Sequence, residues 1–150
     1  MEKNINDLIV NKIIDSEFFC ELSTKTDDYG DSILRKLMNK IDCAKEIAEI
    51  FKLDVTITKI ILMAIDIAYP CYGEIGEAFL KSKDKSFSRI LYAEKIMRTV
   101  LQEFEDNDID KIYERIKNVI NNNPYTEEEK LVKLINETFE KIDSIQEKDI

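Results

Sequence analysis

Apolar residues recur three and four positions apart along nearly the whole chain, the spacing of one face of an α-helix. Ile5, Leu8, Ile9 and Ile13 predict a first helix, and a second is predicted over Ser16 to Ser23, with Ser16 as its N-cap. A polar run from Thr24 to Gly30 then breaks the chain. From Asp31 to Phe51 the positions Ile33, Leu34, Leu37, Met38, Ile41, Ala44, Ile47, Ala48 and Phe51 make the stripe of a long amphipathic helix, which Lys52-Leu53-Asp54 ends. Asp54 is placed to cap the next helix, through Ile57, Ile60, Ile61 and Ala64 to about Ala68. Its Ile-Ile-Leu-Met-Ala-Ile stretch is apolar on nearly every side, which predicts a central position.

Tyr69-Pro70-Cys71-Tyr72-Gly73 reads as a turn, because Pro70 biases Tyr69 away from helical angles and Gly73 tolerates positive φ. Helices are predicted over Glu74 to Leu80, Ser86 to Phe104 and Asp108 to Asn121, and Asn121-Asn122-Asn123-Pro124 is a stop signal. A last helix opens at Thr126, where Thr126 and Glu129 have the spacing of a capping box.

Composition agrees with this reading. Only 3 Gly and 2 Pro interrupt the chain, so an all-α fold is predicted, a compact bundle of about six to eight helices. The 150 residues form a single predicted domain, 1–150, long enough to bury about 70% of the unfolded-chain surface. A net charge of -9 argues against binding nucleic acid, which draws affinity from clustered Lys and Arg. No apolar run approaches the roughly 18 residues of a spanning helix, so no membrane partner is expected. Met1-Glu2-Lys3-Asn4 lacks the features of a secretory signal, and Cys20, Cys43 and Cys71 have no disulfide or zinc-knuckle spacing; a reducing, cytoplasmic setting is expected.

Chemistry enters with Ala64-Ile65-Asp66-Ile67-Ala68-Tyr69 and the Tyr72-Gly73-Glu74-Ile75 behind it. Phe18-Phe19-Cys20-Glu21-Leu22-Ser23, Asn39-Lys40-Ile41-Asp42-Cys43-Ala44 and Pro124 to Asn136 complete an ordered series of segments. In that order they resemble the HD-domain superfamily, in particular its small bacterial 5'-deoxynucleotidases, from about Phe18 to Gln146; the late segment is the longest match. The resemblance implies an HD-like bundle, a homodimer and a divalent metal held by His, a His-Asp pair and Asp, which lowers the pKa of bound water.

Position by position, the ligands implied by that resemblance become Asn39, Ile65, Asp66 and Asn136, in a chain with no histidine at all. Ile65 has no lone pair, the two amides are uncharged, and one carboxylate rarely holds a transition metal. The acidic residue that helps activate water corresponds to Tyr69, a poor base, and the family's Arg-Trp substrate pair has no counterpart between Thr24 and Ser32. No cofactor is therefore expected beyond weak Mg²⁺ at Asp66, and Asn39, Ile65, Asp66 and Asn136 are expected to surround one vestigial point. Lys40, Tyr69, Tyr72 and Glu74 are expected to line the pocket. Asp66, costly to bury unpaired, is expected to accept hydrogen bonds from Asn39, Asn136 or Tyr69, or to pair with Lys40.

The expected function is that of a pseudo-nucleotidase, without catalytic residues, acting as an inhibitor or sponge by binding a nucleotide or a protein partner. One alternative is an active nucleotidase with an all-oxygen Mg²⁺ site drawn from Asp42, Glu46, Asp66, Glu74 or Glu77. Another is a helical interaction module unrelated to HD domains. Weaker signals have simpler accounts. Ala44 to Ile61 resembles a helix-turn-helix, but its turn carries Lys52 instead of Gly and its second helix has only Lys59 as a base. Asp27-Asp28-Tyr29-Gly30-Asp31 reads as a solvated acidic loop, and Glu46/Glu49 and Glu74/Glu77 as solvated pairs. Cys43 is expected in the core and Cys71 as the exposed thiol.

Overall fold

A computed structural model describes residues 5–26, 30–68, 73–85 and 88–148. Among these the chain forms eight helices: α1 (Ile5–Ile14), α2 (Glu17–Glu21), α3 (Ile33–Phe51), α4 (Val55–Ile67), α5 (Gly73–Lys83), α6 (Arg89–Val100), α7 (Asp106–Ile120) and α8 (Glu127–Lys148). The protein is all-α, and the one extended pairing among the described residues is an isolated bridge between Thr26 and Ser32.

Capping fixes where the helices begin. Ser16, Ser32, Asp54 and Ser88 each sit in extended backbone and accept a hydrogen bond from the N–H three residues on, at Phe19, Arg35, Ile57 and Leu91. This explains two departures from the predicted boundaries. Ser32 starts α3 at Ile33 instead of Asp31, and Ser88 starts α6 at Arg89 instead of Ser86. At its far end α6 stops short of Phe104: Leu101, at φ -103° and ψ 24°, leaves helical geometry as the C-cap, and its side chain is fully buried. α7 starts earlier than predicted, with Asp106 and Asp108 against the positive end of the helix dipole. α3 closes through Lys52, which takes the left-handed conformation at φ 57° while Leu53 N–H donates to Ala48 O at 2.8 Å.

α4 is the axis of the bundle. Every residue from Ile60 to Ala68 is buried, and the helix packs against α1, α2, α3, α6, α7 and α8. A helix apolar all round can satisfy itself only at the centre. The amphipathic helices turn one stripe toward it: Leu37, Ala44 and Ala48 from α3, Ile109, Ile112 and Ile116 from α7, Val132 and Ile135 from α8. α6 and α7 are clamped by Arg98, whose Nε donates to Glu94 Oε1 at 3.0 Å and Nη2 to Asp110 Oδ1 at 2.6 Å. Residues 78–83 of α5 are exposed. No described helix is long and apolar enough to cross a membrane.

Candidate functional site

Asp66 is the one charged residue in the otherwise apolar second half of α4, and it is 5% exposed. Lys40 of α3 answers it: Nζ lies 3.5 Å from Asp66 Oδ2, with the two side chains 13% and 7% exposed. Of the partners expected for Asp66, this cation is the one found among the described residues.

α3, α4 and α8 all pack on one another, and Asn136 stands on α8. The Oδ1 atom of Asn136 is buried without a hydrogen-bond partner among the described residues. Lys40, Asp66 and Asn136 thus belong to three mutually packed helices, and of the three only Lys40 and Asp66 form an ion pair.

The remaining sequence candidates fall differently. Ile65 is buried beside Asp66. Asn39 is exposed on α3, and Lys40, one residue on, is the half-buried neighbour that reaches Asp66. Tyr69 and Tyr72, the turn they belong to, and the side chain of Glu74 lie outside the described residues, as do Cys71 and residues 27–29 of the acidic loop. Cys43 is half-buried against the core, and Cys20 is an exposed thiol.

These residues do not fit a divalent cation. Ile65 contributes no donor, and the ammonium of Lys40 already stands where an ion bound to Asp66 Oδ2 would be repelled. Of the carboxylates of the all-oxygen alternative that are described besides Asp66, Asp42 and Glu46 are exposed on α3 and Glu77 pairs with Lys81 at 3.5 Å. Among the described residues no group of three His, Cys, Asp or Glu side chains is arranged to hold a metal.

A second buried acid has a different construction. Glu129, 1% exposed, completes the capping box of α8: Thr126 Oγ1 accepts from Glu129 N–H at 3.2 Å and donates to Oε2 at 2.7 Å. Asn118 Nδ2 and the Tyr125 N–H donate to Oε1 at 2.8 and 3.2 Å, so the cap also fastens α8 to α7. Burial opposes the charge, but the hydrogen bonds from Thr126, Asn118 and the two backbone N–H groups outweigh it and hold the carboxyl below its usual range. The capping box was readable from Thr126 and Glu129; the partners Asn118 and Arg115, a helix away, gave no local signal. Comparison with protein families, with curated proteins and with solved structures finds no match for this chain.

Proposed function

We propose that the chain is a degenerate relative of the HD-domain phosphohydrolases, similar to the 5'-deoxynucleotidases, that acts by binding rather than by hydrolysis. The Lys40–Asp66 pair carries this reading. A buried carboxylate in a metal site is stabilised by the ion; here an ammonium from the neighbouring helix supplies the countercharge. The Asn136 Oδ1 on α8, buried without a partner among the described residues, offers an acceptor to a bound donor, such as a nucleobase amino group or a sugar hydroxyl. A protein partner is the second occupant this reading allows, through apolar side chains left at the tip of α3, where Ile50 and Phe51 are 73% and 70% exposed.

The test has two arms. Purified protein supplied with Mg²⁺, Mn²⁺ or Co²⁺ is assayed for phosphate release from the deoxynucleoside monophosphates; activity abolished by Asp66→Ala overturns the proposal. Thermal shift against nucleotides then separates the occupants, since a ligand at 100 times its dissociation constant adds about 2.7 kcal/mol. A shift reduced by Asn136→Leu supports nucleotide binding in the bundle, and the absence of any shift directs the reading to a protein partner.

A further inference from the structure

A cleft of about 510 Å³ lies between α1, α7 and the first turns of α4 and α8. It shares no residue with the Lys40–Asp66 pair, and its lining residue Ile57 stands about 14 Å from Asp66 along α4 at 1.5 Å per residue. Its volume falls within the roughly 300–1,000 Å³ of small-molecule sites. Ile5, Ile9, Ile57 and Ile112, from three helices, supply its apolar lining.

The charges in the wall fall into two groups. Glu129 and Arg115 belong to one another: the guanidinium Nη1 lies 3.7 Å from Glu129 Oε2 and donates to Thr126 Oγ1 at 3.3 Å. The carboxylate is buried and already accepts from Thr126, Asn118 and Tyr125, so this pair leaves no net charge for a ligand. What remains is Asp108, Lys111 and Glu114 on α7, and none of the three is ion-paired among the described residues. Lys111 stands one turn from each acid, three residues away on either side. Two carboxylates against one ammonium make the free part of the wall negative by one charge, in a chain whose net charge is -9. Tyr125, 82% exposed, adds an aromatic ring to the lining, and the face of such a ring attracts cations and repels anions.

We propose that this cleft binds a small organic monocation, an apolar body carrying one ammonium group, with Asp108 and Glu114 as its countercharge. The isoleucines take the body out of water, and the two carboxylates take the charge. Lys111 opposes the ligand and limits it: one positive charge is matched by the wall, and a second is not.

The probe is 2-naphthylmethylammonium, added to the full chain with its isoleucine methyl groups labelled with carbon-13 for NMR. Saturable shifts centred on Ile5, Ile9, Ile57 and Ile112 are expected. Neutral 2-naphthylmethanol should bind about three-fold more weakly, the scale of one surface ion pair, and 2-naphthoate about ten-fold more weakly, since its charge is repelled. Glu114→Gln, at an exposed position, should weaken the ammonium about three-fold without moving the unfolding midpoint. Lys111→Ala, also exposed, should tighten it by a similar factor, an effect that a purely structural role for Lys111 does not produce. Absent shifts, shifts centred on other isoleucines, naphthylmethanol or naphthoate binding as well as the ammonium, or unchanged or weaker binding in Lys111→Ala each overturn the proposal. None of these outcomes depends on the HD-like reading.

Discussion

Replacing Lys40 with Met keeps the aliphatic stem against α4 and removes only the ammonium, so it isolates the electrostatic part of the pair. At 3.5 Å the direct attraction between the charges is about 5 kcal/mol at an effective dielectric constant of about 20. Desolvation of both groups offsets much of this in the wild-type protein, but the variant keeps the cost of burying Asp66 without the compensation. Breaking such a pair costs about 3–5 kcal/mol. The separation is long and Lys40 retains 13% exposure, which favours the lower end, about 3 kcal/mol. That is a large part of a typical domain stability of about 5–15 kcal/mol. Urea unfolding followed by helical circular dichroism should show the midpoint falling with the slope unchanged. The double variant Lys40→Met with Asp66→Leu removes both charges and should recover to within about 1 kcal/mol of wild type. A loss below about 1 kcal/mol in the single variant, or a double variant no better than the sum of its singles, would refute the claim that a resident ammonium compensates Asp66.

Three further predictions follow from other parts of the structure. Glu129→Gln puts an amide donor among groups that already donate, and should cost about 2 kcal/mol. Because the Glu129 carboxyl is held below its ordinary value of 4.5, its stabilisation is complete above that pH and disappears as the pH falls through the lower folded value. The acid limb of a melting-temperature profile should therefore be shallower in the variant; identical limbs would count against it. Lys52→Gly relieves a left-handed backbone at φ 57° and should raise stability by about 1 kcal/mol in the same urea assay, and a drop would be the contrary result. Finally, Lys40→His, Ile65→His and Asn136→Asp put the ligand types of the family resembled around Asp66, using the α3 position that faces it, and remove the resident cation. Cobalt titration should give a tetrahedral visible spectrum and stabilise the variant by about 4 kcal/mol at 1,000 times the dissociation constant. A spectrum no different from wild type means that the four positions do not converge.

The parts of the fold that local chemistry decides were readable from the sequence. The Ser16 and Asp54 caps, the Thr126–Glu129 box and the all-round apolarity of α4 each follow from neighbours within one helical turn, and each is present. What was not readable depends on which helix faces which. Asn39 and Lys40 differ by one position, about 100° around α3, and a segment match cannot say which of two adjacent residues turns inward. The structure turns Lys40. Likewise Arg115 and Glu129 belong to different helices, so no periodicity announces that one buries the charge that fixes the other.

The two acids at the heart of the bundle show why this matters for function. Glu129 is surrounded by five donors that are themselves parts of a helix end, an arrangement that holds whatever ligand is present. Asp66 has a single long ion pair, in the otherwise apolar second half of α4. A helix under selection for packing alone has no use for that carboxylate, since replacing a buried ion pair by apolar side chains is often neutral or stabilising. Structural need accounts for Glu129 completely and for Asp66 only in part, and the unexplained part is what singles out the Lys40–Asp66 pair as the place to test for a ligand.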